Sequence, residues 1–165
     1  MAGDVTLRDA TVADAGAIND IYNHYVHTST CTFQAVDVTE AERVAWLEEH
    51  DEAHPAVVAE RDGVVVAWGS LSRFRARHAY DPTVEVSVYV DAAHVRQGLG
   101  RTILDHLIGR ARAAGHHAVM ALIAADQGAS VALHARFGFT EVGRLREVGC
   151  KFDRWLDVIY MERVL

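Results

Sequence analysis

One carboxylate stands in an otherwise apolar run: Glu85 in "TVEVSVYV" (83–90). Strand alternation sets Val84, Val86, Val88 and Val90 on one face and Glu85, Ser87 and Tyr89 on the other. On a solvent-facing strand that glutamate would simply meet water. A strand this apolar reads as central, and there a partly buried carboxylate beside a groove is suited to acid–base chemistry. A second feature follows closely, the run Arg96-Gln97-Gly98-Leu99-Gly100-Arg101 between this strand and a helix. Glycines there let backbone approach a ligand, and the helix N-terminus behind them presents unpaired N–H groups. With flanking arginines the loop suits a pyrophosphate. No Gly-Lys-Ser/Thr follows, so it is not a P-loop, and Ile103 breaks a GxGxxG pattern. A plain strand-to-helix turn could carry the same glycines, and the spacing alone does not choose.

Other groups offer chemistry more loosely. Arg73, Arg75 and Arg77 alternate in "SRFRARHAYD" and can project together toward an anionic or oxygen-rich ligand, though isolated arginines more commonly form a solvated loop. His50 and His54 in "HDEAH" have the i, i+4 spacing of a zinc pair on a helix. The zinc-protease pattern places Glu directly after the first histidine; here that residue is Asp51, and Pro55 follows, so no metal is expected. Cys31 and Cys150 lie far apart without CxxC spacing, which indicates neither a zinc site nor a disulfide framework.

The elements that must position these groups read clearly. "VTLRD" (5–9) alternates as a strand. Thr11 with Asp14 caps a helix whose apolar face is Ile18, Ile21, Tyr22 and Tyr25, and "HTSTCTFQ" (27–34) reads as a loop. Thr39 with Glu42 forms a capping box for a second helix through Trp46 and Leu47. "PAVVAE" and "VVVAWGSL" flank Arg61-Asp62-Gly63, a hairpin signal. After the glycine loop, Ile103, Leu104, Leu107, Ile108 and Ala111 predict an amphipathic helix ending near Gly115. "AVMALIA" (118–124) is a buried strand, 128–136 a short helix, and "TEVGRL" and "DVIYMERV" (157–164) the last strands. The order β-α-α-β-β-β-α-β-α-β-β predicts a mixed α/β domain around one central sheet.

With 165 residues, half of them apolar, the chain is the size of one domain over 1–165. A net charge of −7 argues against a general nucleic-acid binder. The opening "MAGDVTLRDAT" lacks the basic flank and apolar run of a signal peptide, and no stretch has the length of a membrane span, so a soluble cytoplasmic protein with no membrane partner is expected.

The strand–"RQGLGR"–helix unit, followed by "ALIAADQGASVALHARFGF", resembles the GCN5-related N-acetyltransferases, the GNAT family. "IYNHYVHTSTCTF", "RARHAYDPTVEVSVYV", "ASVALHARFGF" and "VGCKFDRWLDV" are similar to its phosphinothricin and methionine sulfoximine/sulfone N-acetyltransferase branch, over nearly the whole chain in order. The resemblance implies a GNAT-type acyl-CoA N-acyltransferase fold, a mixed twisted central sheet with flanking helices, splayed between its fourth and fifth strands. It implies acetyl-CoA as cosubstrate. Arg96, Gln97, Gly98, Leu99, Gly100 and Arg101 would hold the pyrophosphate, and the backbone of Val88, Tyr89 and Val90 the pantetheine arm, with Gln127 and Ser130 nearby. Two positions depart from the pattern: Val95 stands where the family usually has Gln or Arg, and Gln127 where the branch usually has Asn.

The same resemblance assigns Glu85 as general base, acting through water, and places His134 near the position where many of these enzymes carry a tyrosine acid. Acid, auxiliary base and cofactor contact all stay open for His134. For the acceptor it singles out Arg75 and Arg77, with Tyr80 nearby and Phe33 closing over it, beside Glu85, Val86 and Ser87. The acceptor would be a small amino acid with a free α-amine and an oxygen-bearing end, acetylated directly in a ternary complex. "KFDRWLD" (151–157) reads equally as a turn whose aromatics fill the core or as a region near the acceptor pocket and dimer contact, with Trp155 in the pocket's surroundings. A homodimer is implied. Acetylation of another small amine or a protein N-terminus, and a non-catalytic acyl-CoA sensor, are the alternatives.

Overall fold

The computed structural model describes residues 4–165. Residues 1–3, which begin the stretch read for a leader, lie outside the described residues. Eleven elements follow in the expected order: β1 (Val5–Asp9), α1 (Ala15–Thr28), α2 (Glu40–Glu48), β2 (Ala56–Arg61), β3 (Val64–Arg73), β4 (Thr83–Val90), α3 (Leu99–Ala113), β5 (Ala118–Ala124), α4 (Gly128–Arg136), β6 (Thr140–Lys151) and β7 (Arg154–Val164).

Local chemistry sets several of these boundaries. Thr39 accepts from the Glu42 N–H, and the Glu42 carboxylate accepts from the Thr39 N–H, so both halves of the capping box open α2. Asp62 and Gly63 both have positive φ, 51° and 79°, the backbone that a two-residue hairpin of right-handed twist requires. A second hairpin turn, Phe152-Asp153, uses the same region at 52° and 57° without any glycine.

The seven strands form one mixed sheet in the order β1-β2-β3-β4-β5-β7-β6. Every neighbour pair is antiparallel except β4 with β5. Apolar residues pack on both faces. On one, Val84 and Val86 of β4 meet Ile103, Leu104 and Leu107 of α3. On the other, Ile18 and Ile21 of α1 and Leu47 of α2 meet Val58 and Trp68. Burying such side chains contributes about 1.5–3 kcal/mol each relative to exposure, and this holds β4 rigidly at the centre.

The structure corrects three expectations. Helix α2 ends at Glu48, so His50 and His54 are not a pair on one helix face. Strand β6 runs to Lys151 and β7 begins at Arg154, because the tight turn lets pairing continue through residues that look like a loop. Phe152 and Trp155 are 50% and 68% exposed, so the aromatics of "KFDRWLD" do not fill the core. The buried residues of that segment are Lys151 and Leu156.

Candidate active site

The site begins where a strand pairing stops. The parallel β4–β5 ladder has three pairs, Thr83 with Ala118, Val84 with Val119 and Glu85 with Met120. Beyond them β4 stays on β3 as far as Val90, and β5 stays on β7 as far as Ala124. The two strands therefore part at Glu85, as the expected splay requires, and a cavity of about 290 Å³ opens between them. Residues 85–89 form one wall and Ala121–Ala124 the other. Thr30, Cys31, Thr32 and Phe33 close one end, with Gln127, Ser130 and His134 from the α4 side.

Glu85 sits in the fork. Burial of its side chain lifts the carboxyl above the usual carboxylate range, and the nearby Arg75 guanidinium offsets part of that rise. Its face of β4 is the predicted one. Tyr89 stacks on Trp68 of β3 with ring centroids 4.7 Å apart, on the α1–α2 side of the sheet, while Val86 and Val88 turn to the α3 side. Ser87 lines the cavity between them.

His134 is buried, 6% exposed, at the end of α4. Its Nδ1 lies 2.8 Å from the Ser130 carbonyl oxygen, and a carbonyl only accepts, so Nδ1 carries the proton. Burial holds the imidazole below its ordinary pKa, hence neutral at neutral pH. The lone pair is then on Nε2. This tautomer can accept a hydrogen bond or a proton, and it does not offer the acid proton of a tyrosine replacement.

The glycine loop is shaped for close backbone approach. Arg96 and Gly98 have positive φ, 61° and 83°, and Gly98 is the N-cap of α3. The successive amides behind it face outward as a helix N-terminus, a favourable position for anionic oxygens. A Cβ on Gly100 would stand 3.6–3.9 Å from Leu133, Val90 and Val88, so this turn of α3 packs closely against the end of β4 and against α4. Arg96, Gln97 and Arg101 are exposed around it, and Gln97 accepts a hydrogen bond from Arg61 of the β2–β3 hairpin.

Two expected cofactor contacts already have partners within the chain. The Val90 carbonyl accepts from the Tyr25 hydroxyl at 2.6 Å, and the Gln127 amide donates to the Thr30 hydroxyl at 2.8 Å. The longer amide of Gln127 thus reaches across to the 30–33 segment, which it ties to the start of α4.

Of the acceptor-side residues, Phe33, Val86 and Ser87 line the cavity with Glu85. Arg75, Arg77 and Tyr80 are exposed on the β3–β4 connection and do not form its wall. Arg75 remains close enough to act on Glu85 electrostatically, and its guanidinium lies over the Phe74 ring. Trp155 is not in the cavity lining. Among the described residues no group of three or more His, Cys, Asp or Glu could hold a metal ion, and no helix is long and apolar enough to cross a membrane.

Sequence reasoning missed the β5 wall, residues Ala121–Ala124, and the anchoring of the 30–33 rim. The first follows from the splay itself, since the strand paired with β4 must supply the opposite wall. The second depends on Lys151, whose ammonium donates to the carbonyls of Ser29 at 2.7 Å and Thr32 at 2.8 Å. A lone lysine in a hairpin gives no sequence signal for such a role.

Comparison with known proteins bears on the family and the fold. Residues 7–160 match the model of a family described as an acetyltransferase (GNAT) domain. A phosphinothricin N-acetyltransferase of Streptomyces viridochromogenes is 42% identical over 96% of this chain and 87% of its own. An L-methionine sulfoximine/L-methionine sulfone acetyltransferase of Salmonella typhimurium is 40% identical over 96% of this chain and 93% of its own. Among solved structures, a Salmonella typhimurium acetyltransferase with its cofactor acetyl-CoA superposes with a TM-score of 0.94 at 40% identity, covering 98% of this chain and 94% of that one.

Proposed function

Because the chain belongs to the GNAT family and is an N-acetyltransferase, we propose that it transfers acetyl from acetyl-CoA to the α-amine of a small, oxygen-rich amino acid such as phosphinothricin, methionine sulfoximine or methionine sulfone. The observation that carries this reading is Glu85 at the point where β4 and β5 part. A thioester supplies the acetyl group; the protein must supply a base for the amine and a surface to align the two. Glu85 is that base, taking a proton from the acceptor ammonium directly or through water. Val88, Tyr89 and the loop 96–101 align the cosubstrate, with the amides at the start of α3 toward its pyrophosphate. Ser130 and His134 lie along the same groove. His134, with its free Nε2 lone pair, serves as an acceptor or auxiliary base there. Arg75, Arg77 and Tyr80 supply positive charge and an aromatic edge at the acceptor mouth, with Phe33 as its lid. Transfer is direct, in a ternary complex.

The names of the relatives support the acceptor class, and the two free cysteines fit a reducing cytoplasmic setting. A homodimer fits the edge strand β6, which exposes Val142, Leu145 and Val148, next to Trp155 of β7.

Thiol release from acetyl-CoA tests the reading. We expect turnover with at least one of methionine sulfone, methionine sulfoximine and phosphinothricin, and little with a peptide bearing a free N-terminus. Turnover with none of the three, alongside turnover with an unrelated amine or the peptide, overturns the acceptor assignment. No thiol release with any amine, despite acetyl-CoA binding, would leave the chain a sensor.

A further inference from the structure

The proton taken from the acceptor must leave the site, and the register of β3 against β4 lays out a route. Ser72 is the direct cross-strand partner of Glu85, as Ser70 is of Ser87 and Trp68 of Tyr89. Side chains of directly opposed residues share one face, with Cβ atoms about 4.5–5.5 Å apart. The stacked Trp68–Tyr89 rings fix which face that is. Ser72 is therefore the neighbour of Glu85 on that face, placed for a contact through one water.

On its far side Ser72 meets a histidine. Its Oγ lies 3.4 Å from Nε2 of His50. The Nδ1 of His50 lies 2.7 Å from the Trp46 carbonyl, which only accepts, so Nδ1 holds the proton and Nε2 offers a lone pair to Ser72. The ring also packs on Trp46 with centroids 4.1 Å apart. Ser72 joins two cavities. One, of about 350 Å³, contains Ser70, Ser72, Ser87 and Tyr89. The other, of about 440 Å³, contains Ser72, His50, His54, Glu49 and Arg73. Ser87 and Tyr89 also line the cavity at the fork, so hydroxyls and one oriented imidazole lie between the fork and the cavity beside His50.

We propose that Ser72 and His50 form the proton exit of the active site, passing to His50 the proton that Glu85 removes from the acceptor ammonium. This rests on Glu85 being the base. The balance is simple. The ammonium N–H breaks as the Glu85 carboxyl O–H forms. Ser72 then receives that proton and gives up its own to Nε2 of His50, which becomes an imidazolium with Nδ1 still on the Trp46 carbonyl. The imidazolium releases its proton to water, and nothing is oxidised or reduced. Burial and His54 oppose charge on His50, while Glu49 and Asp51 favour it, and the net effect is a lowered pKa, which speeds release at neutral pH. His50 and Ser72 touch no reacting atom and act through Glu85.

The test compares His50→Ala, Ser72→Ala, Ser72→Thr and Glu85→Gln at saturating acetyl-CoA. His50→Ala and Ser72→Ala should lose roughly tenfold in kcat, less than the ~10²–10⁴ of the base itself, with KM for acetyl-CoA unchanged. Ser72→Thr keeps the hydroxyl and should keep the rate. Added imidazole should restore His50→Ala, a response that a merely structural loss would not give. Full kcat in both alanine variants while Glu85→Gln is impaired overturns the exit route alone. Loss in His50→Ala that imidazole does not restore, with Ser72→Ala unimpaired, also overturns it. Full activity of Glu85→Gln overturns the base assignment on which it rests.

Discussion

Glu85 binds its proton more tightly in the folded chain than in an unfolded one, since burial disfavours the carboxylate. The linkage has a definite sign. The contribution of Glu85 to stability is fully present below the unfolded carboxylate pKa and is lost as pH rises through the raised folded value. Glu85→Gln removes that loss. Its melting temperature should match or exceed the parent's at neutral pH and gain less, or nothing, near pH 4, while turnover falls ~10²–10⁴-fold. The acid limb of kcat/KM for the parent should lie above the ordinary glutamate range. A Glu85→Gln variant less stable at neutral pH than at acid pH, relative to the parent, would refute the buried-charge account. Glu85 was legible in the sequence because alternation and an apolar strand put it on a defined face. His134 was legible only as a position. Its protonation depends on a bond to the Ser130 carbonyl, and residue types do not reveal which nitrogen makes it.

Elements were the most readable level, because periodicity and caps are local properties. The Thr39–Glu42 box and the Asp62-Gly63 turn write their own geometry. The sequence signal of the β6–β7 hairpin stops short of its turn because Phe152-Asp153 takes up the left-handed backbone without the glycine or asparagine that signals it. That hairpin also holds the active-site rim. Lys151, 6% exposed, bonds to carbonyls of residues 29 and 32, the Phe33 ring lies over Gly149, and Arg154 pairs with Asp126, which accepts from Thr30. Lys151→Met keeps the stem's volume but leaves buried carbonyls without a donor. It should cost about 2–4 kcal/mol by denaturant melting, within the range for lost charged hydrogen bonds and orphaned groups. KM for the acceptor should rise more than KM for acetyl-CoA, because the rim is the part set loose. Unchanged stability would mean that water replaces the ammonium at no cost.

At the scale of the whole molecule, the sheet ends on opposite terms. β1 closes one edge, while β6 is a 12-residue edge strand, exposed along most of its length and carrying several apolar side chains. Sedimentation should give twice the chain mass of 18.1 kDa, and Val148→Lys should shift the balance toward monomer. A parent that sediments as a monomer at all concentrations would remove the dimer. Little of this was readable beforehand, since an edge becomes an edge only when strand order is known.

The short β4–β5 ladder has one more consequence. Amides in the middle of a large sheet ordinarily exchange with solvent only when the fold opens. Past Glu85, each strand has a partner on one side only, so every second backbone group along residues 86–89 and 121–124 faces the groove instead of a neighbouring strand. Protection in the centre of this core should therefore alternate residue by residue, slow where an amide meets β3 or β7 and fast where it meets the groove. Along residues 86–89 and 121–124 the middle of the sheet is unfinished, with backbone groups free to pair with a bound extended molecule.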